Sequence, residues 1–290
     1  MTSPTTDAIE LSLFSSRINA VCEQMGALLQ RAAFSPNIRD RLDFSCAVFD
    51  PQGELCAQAA HIPVHLGSMA YAMRDIVSAL EWQPGDMVVV NDPYLGGTHL
   101  PDVTLIAPAY VEGCLIGFVA NRAHHADIGA ESPGSMPISR SLHEEGMLLP
   151  PSYLYKAGQR NESLFKEMLA NTANPVTMQG DFAAQVSANH LGVQRLCQLA
   201  ESVGAAAFAG RLQALNAYAE RLARAALASI PTGEYSFHDV MDDDGLGNRD
   251  IVIALKLRIT EQQIELDFAG TAGQVAGNIN CPLSVTAAAV

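Results

Sequence analysis

Apolar residues recur at helical spacing from Ile9 through Leu11, Leu13, Ile18, Val21, Met25, Leu28 and Leu29, which predicts one long amphipathic helix over 7–33. The stretch SPNIRDRLD breaks it. FSCAVFD and ELCAQAA then read as two short strands around the turn PQG, a hairpin with Asp43 at its entrance. HIPVHLG is a loop carrying His61 and His65, and SMAYAMRDIVSALEW is a helix that Ser68 would cap. QPGD turns the chain into the β-branched run MVVVND.

Residues 103–110 and 114–121 form two almost wholly apolar strands, joined around Glu112 and Gly113 as a tight antiparallel hairpin. In such a pair the residue entering the first strand lies across from the residue leaving the second. Asp102 is therefore expected near Arg122 and within reach of His124. The polar ends become one site, and the apolar middle becomes its rigid support.

From 130 to 180 the chain is rich in Gly, Pro, Ser and Met, with one short helical piece at 161–171, as suits a covering or interface segment. Two helices fill 181–229, divided near SVGAAA and stopped by Pro231. DIVIALKLRIT and QIELDFAG form a last hairpin, with Ile251, Ile253, Leu255 and Leu257 on one face and Val252, Ala254, Lys256 and Arg258 on the other. NINCPLSVTAAAV reads as the start of a further element. The expected class is mixed α/β (α+β), antiparallel hairpins with long flanking helices. Its parts are a metal-site α/β domain over 1–180, a helical segment over 181–230, and a β-hairpin region over 231–290 that continues the same domain.

Composition narrows the functions. With 31 acidic against 17 basic residues and a net charge of -14, the average field repels nucleic acid and anionic lipid surfaces. The early acids and missing basic segment of MTSPTTDAIELSLFSS argue against a secretory signal, and no apolar run reaches membrane-spanning length. Six cysteines without a CxxC pair read as buried free thiols of a cytoplasmic protein. Hydrophobic residues at 49% leave room for a large core and for an oligomer interface.

The chemistry is clustered. Five of the 8 histidines (His61, His65, His99, His124 and His125) fall between residues 61 and 125, with Asp92, Asp102 and Asp127 among them. His99 and Asp102 are three apart in HLPD, and Pro101 keeps that pair on a loop. With His124 returning on the paired strand, two imidazoles and a carboxylate converge, a mixed N/O set that suits zinc, iron or manganese. Such an ion lowers the pKa of bound water and polarises a carbonyl. Asp92, Asp127 and His125 are candidates for orienting the ligands. Taken singly, a loop histidine is more often a capping or hydrogen-bonding residue, so the cluster carries the reading. LGGTH has the glycines of a phosphate loop, but there is no GxxxxGK[ST] and no GxGxxG after a strand; Gly96 and Gly97 serve the turn that delivers His99. Cys46 is expected in the core, and MDDDGLGNRD is an acidic turn lacking the final Glu of a calcium loop.

RLDFSCAVFD, HIPVHLGSM, NDPYLGGTHLPDVTLIAP, NRAHHADIGAESPGSM, EEGMLLPP and GNINCP, in this order, resemble the successive motifs of the hydantoinase B / 5-oxoprolinase family, and more distantly subunits of acetone and acetophenone carboxylases and of ATP-dependent caprolactamase. The resemblance implies a metal-bearing subunit of an ATP-dependent hydrolase of a hydantoin, 5-oxoproline or similar cyclic amide. A hydantoinase A-type partner would bind ATP and phosphorylate the ring carbonyl, to which metal-activated water is added, in a hetero-oligomer. It places the metal on His99, Asp102 and His124 and adds Asp43 from the DFS motif; His65, Asp92 or His125 would move protons. Two alternatives stay open, an ATP-dependent ketone carboxylase subunit and a non-catalytic scaffold. Family members continue well beyond GNINCP, so the chain is expected to be truncated relative to them.

Overall fold

The computed structural model describes residues 8–60, 62–134, 137–261 and 263–290; His61, Ser135 and Met136 lie outside the described residues. In chain order the elements begin with α1 (Ala8–Ala32), a short α2 (Pro36–Arg39), β1 (Phe44–Phe49), β2 (Leu55–Ala60), α3 (Val64–Ala79) and β3 (Met87–Val90). Next come β4 (Asp102–Val111), β5 (Cys114–His124), β6 (Ser152–Lys156), β7 (Gln159–Arg160), α4 (Glu162–Ala170), α5 (Pro175–Val203) and α6 (Ala205–Leu227). β8 (Gly233–Asp243), β9 (Arg249–Ile259), β10 (Ile264–Asp267) and α7 (Leu283–Ala289) complete the fold, which is mixed α+β as expected.

A seven-stranded antiparallel sheet in the order β2-β1-β5-β4-β3-β6-β7 is the centre of the molecule. It is covered on both faces, so its strands read as continuous apolar runs rather than as alternation. Cys46, Val48, Val103, Leu105 and Val119 pack against α1 and α5. The residues between them, Ala47, Phe49, Ile106, Phe118 and Ala120, pack against Met69, Met73 and Ile76 of α3. α1 contributes Phe14, Ile18, Cys22, Met25 and Leu29, three or four apart on one stripe. Each such large side chain, fully buried, contributes about 1.5–3 kcal/mol of transfer free energy.

Several boundaries differ from the sequence reading. α3 starts at Val64, so His65 sits in the first turn of a helix and not in a loop. Ser68 is not its cap; the hydroxyl donates back to the Val64 carbonyl. α5 starts at Pro175, because Asn174 accepts from Thr177 N and proline occupies the first turn. β6 and β7 extend the main sheet from within the Gly/Pro-rich segment. The last hairpin is present as β9 and β10, but β8 joins it as a third strand that the sequence reading missed.

The register of that smaller sheet puts Tyr235, Phe237, Leu255, Leu257 and Leu266 on one face, opposite Glu234, His238, Lys256 and Arg258. Phe237 is 68% exposed. MDDDGLGNRD is the turn between β8 and β9: Asp244 accepts from Leu246 N, from Asn248 and from Gly277 N of the GNINCP stretch. α7 packs on α3, and its Ser284 hydroxyl donates to the Gly97 carbonyl. All six cysteines are free; Cys22 and Cys46 are buried as expected, whereas Cys114 and Cys281 are exposed.

Candidate metal centre

Three neighbouring strands deliver the centre. β5 lies between β1 and β4, and its last residue, His124, pairs directly with Asp102 at the start of β4. The His124 N–H donates to the carbonyl of Asp43, the residue before β1. The main-chain register therefore sets Asp43, His124 and Asp102 side by side across one sheet edge. It differs from the expected one, for Arg122 faces Thr104 and not Asp102. A two-residue turn pairs Val111 with Cys114, but the register shifts between Ala109 and Tyr110, so that Ala109 faces Gly117. One extra residue in β5 moves His124 onto the face that carries Asp102. Gly117 belongs there because a Cβ would lie 2.4 Å from the Phe49 carbonyl oxygen.

His99 arrives on the loop between β3 and β4. Asn91 organises it, its amide donating to the carbonyls of Leu100 and Met147 and its oxygen accepting from Leu149 N. Asp92 caps the turn by accepting from Tyr94 N. Gly97 has no room for a side chain, since a Cβ would stand 2.4 Å from the Asn91 carbonyl oxygen. Arg122 ties this loop to the sheet: buried, it donates to Thr104 Oγ1, Ser68 Oγ and the Gly96 carbonyl. Burial pushes its guanidinium down to about 10.

The donor atoms meet at Asp102. Its Oδ1 is 3.2 Å from both His99 Nε2 and His124 Nδ1. Its Oδ2 is 3.3 Å from His65 Nε2 and accepts from the Thr98 hydroxyl. Asp43 Oδ2 lies 3.7 Å from His124 Nδ1. One ligand atom each from His99, Asp102 and His124 falls within 4.8 Å of the others, and so does one each from Asp43, His65 and Asp102. Burial pushes the Asp102 carboxyl up, but His124, His65 and His99 together outweigh it and hold the group well below the ordinary carboxylate range. Burial depresses His99, but the adjacent Asp102 carboxylate, with Asp43 and Glu145, overcomes this and leaves it raised.

Asp102 Oδ1 is the test of whether these residues suit an ion. It is buried and accepts no aligned hydrogen bond from any described residue, although two imidazole nitrogens stand 3.2 Å away. A buried carboxylate oxygen and two ring nitrogens within 4.8 Å of one another, with no aligned hydrogen bond joining them, are a donor set that a divalent transition ion uses. The residues fit.

The structure brings together Asp43, His65, His99, Asp102 and His124 and leaves the other candidates apart. His125 follows His124 and points to the opposite face, where Nε2 meets Gln185 Oε1 at 2.8 Å and the ring packs on Phe182. Asp127 caps a turn, accepting from Gly129 N, Thr172 Oγ1 and Ala173 N. Sequence reasoning missed Thr98; Ser45, which with Cys46 in DFSCAVF suggests a nucleophile by residue type, is instead the partner of His65, its hydroxyl 3.0 Å from Nδ1. Alternation along FSCAVF places Ser45 opposite in sense to the core Cys46, which was the available signal.

The chain is similar along almost its whole length to proteins considerably longer than itself. It is 38% identical over 295 residues to a 5-oxoprolinase of Dictyostelium discoideum, matching 98% of this chain and 23% of that one. A Methanocaldococcus jannaschii protein is 36% identical over 288 residues, 97% of this chain and 50% of that protein. The fold is similar to that of ATP-dependent caprolactamase from Pseudomonas jessenii, with a TM-score of 0.90 and 26% identity over 98% of this chain and 49% of that chain. The chain thus spans about half or less of the length of these relatives. No helix among the described residues is long and apolar enough to cross a membrane. Residues 7–290 match the family model Hydantoinase B/oxoprolinase, and the chain belongs to that family.

Proposed function

We propose that this chain carries the metal centre of an ATP-dependent hydrolase of cyclic amides, a hydantoin, 5-oxoproline or a similar lactam. ATP is handled by a hydantoinase A-type component that phosphorylates the ring carbonyl. The observation that carries the reading is the orphaned Oδ1 of Asp102 between His99 and His124. Family membership and the fold shared with an ATP-dependent caprolactamase support the reaction class. The lack of GxxxxGK[ST] supports a separate ATP site.

Asp43, His99, Asp102 and His124 would hold zinc, manganese or iron. A bound ion of this kind supplies Lewis acidity and lowers the pKa of water. An unactivated amide is a poor electrophile, so phosphorylation of the carbonyl oxygen would activate the ring carbon. One water adds, the C–N bond breaks as the ring nitrogen takes a proton, and a second water splits the resulting acyl phosphate into carboxylate and phosphate. Asp102 does two jobs: Oδ1 faces the ligand nitrogens, while Oδ2, held by Thr98, fixes His65. His65 is the proton carrier of this reading, since its Nε2 reaches Asp102 and its Nδ1 reaches Ser45. Asp92 and His125 are occupied elsewhere.

The test is reconstitution with an ATP-binding component of the hydantoinase A type, following ADP and ring-opened acid from hydantoin and 5-oxoproline, with labelled bicarbonate present. ATP-dependent ring opening without label incorporation is expected. Incorporated bicarbonate would move the assignment to a carboxylase, and ring opening without ATP would refute it.

A further inference from the structure

On the reverse face of the sheet from the metal centre is a cavity of about 160 Å³, lined by His125, Asp127, Asn174, Thr177, Met178 and Asp181 among others. Two of these residues carry buried polar atoms without a partner among the described residues, His125 Nδ1 and Asp181 Oδ2. Each residue is 1% exposed. Such atoms cost roughly 1–3 kcal/mol each when nothing meets them, so an occupant is called for.

The bonding pattern states what the occupant must offer. Gln185 spends its amide nitrogen on the Val103 carbonyl and on Asn121 Oδ1, so the oxygen facing His125 Nε2 is an acceptor. Nε2 therefore carries a proton toward Gln185, and in the neutral ring Nδ1 presents a lone pair. Asp181 Oδ1 accepts from Phe34 N and Ser35 N, leaving Oδ2 an acceptor as well. Asp127 has both oxygens engaged. Among the described residues no lysine or arginine lines the cavity, and Asp181 forms no ion pair. A buried carboxylate bonded only to neutral amides lacks a counter-charge. Anions are excluded, and a cation that donates N–H bonds satisfies both acceptors and the charge. The volume takes about five waters at roughly 30 Å³ each, or a small amine with its hydration.

We propose that this cavity is a second ligand site, specific for ammonium or a primary ammonium group held between Asp181 Oδ2 and His125 Nδ1. It stands independently of the metal reading. Because His124 and His125 are consecutive and point to opposite faces, the two sites meet where β5 ends.

The experiment is thermal unfolding of the full chain in ammonium, methylammonium and tetramethylammonium chloride at constant ionic strength, beside the Nδ1 nitrogen resonance of His125. Ammonium and methylammonium are expected to raise the midpoint saturably, by about 3 °C at ten times the dissociation constant. They should also move the Nδ1 resonance, while tetramethylammonium does neither. Asp181→Asn keeps the oxygen that caps Phe34 and Ser35, turns the free acceptor into a donor, and should abolish the response. No saturable rise, as for a cavity holding water only, an equal rise with tetramethylammonium, or a full response in Asp181→Asn would overturn the proposal. If that variant does not fold, the wild-type Nδ1 resonance decides: movement supports the site and a fixed position refutes it.

Discussion

His124 on β5 lies directly across from Asp102 on β4, with its Nδ1 3.2 Å from Asp102 Oδ1, although the turn that joins the strands would by itself set Ala123 there. One residue of register decides whether the imidazole faces the carboxylate or the helix layer behind the sheet. Gly117→Val puts a Cβ about where the Phe49 carbonyl stands, and the bulged strand cannot keep its course. The variant should lose about 1–3 kcal/mol in urea unfolding and bind metal more weakly than wild type. Unchanged stability and metal content would show that the bulge does not set the site.

Asp92 and Asp102 are both acids beside His99 in the sequence, yet only Asp102 meets the imidazoles. Asp92→Asn retains an oxygen to accept from Tyr94 N. It should leave metal content unchanged and stability within about 0.5 kcal/mol of wild type. Metal loss in this variant would place Asp92 at the ion after all.

Ser45 acts through His65. Removing its hydroxyl frees the ring that otherwise rests between Ser45 and Asp102. Ser45→Ala should lower turnover of the reconstituted complex about tenfold or more while metal content and the melting curve stay near wild type. Unchanged turnover would remove Ser45 from the site.

Among the described residues Arg122 bonds to Thr104 of β4, Ser68 of α3 and Gly96 of the loop before β4, with no carboxylate in contact. Arg122→Met strands Thr104 Oγ1 and the Gly96 carbonyl and leaves Ser68 only its bond to Val64, at a cost of about 2–4 kcal/mol by denaturant unfolding. Lysine should recover only part of this, because a single ammonium cannot span the planar fork. Full recovery by lysine would show that charge alone matters there.

Asp127 supplies a pH dependence. Burial raises its carboxyl, but bonds from Thr172, Gly129, Ala173 and Asn174 outweigh this and lower it. With the folded group below an unfolded value of about 3.9, its contribution is complete above that pH and is lost as pH falls through the folded value. The stability gap between wild type and Asp127→Asn should be constant from pH 5 to 7 and narrow below about pH 4. A gap that widens on acidification would contradict the assignment.

The central hairpin was legible because Glu112 and Gly113 both take positive φ, as a tight two-residue turn requires, and because the runs on either side are apolar. Its bulge was not, since nothing in AYVEGCLIGF distinguishes a turn glycine from one pressed against a neighbouring carbonyl. His65 was placed in a loop because Pro63 reads as a breaker, whereas proline is welcome at a helix start. β8 was missed because GEYSFHDVMDD is solvent-exposed along nearly its whole length and offers no buried run to find. His124 and His125 look equivalent in sequence. Strand alternation separates them, and it applies only once the strand is known to reach His124.

The most direct test of the metal centre is elemental analysis of purified wild-type chain beside His124→Ala, with circular dichroism to confirm that both are folded. Near-stoichiometric zinc, manganese or iron in the wild type and its loss from a folded His124→Ala are expected. Absence of transition metal from the wild type after growth and dialysis in supplemented buffer, or equal metal in both proteins, would contradict the account.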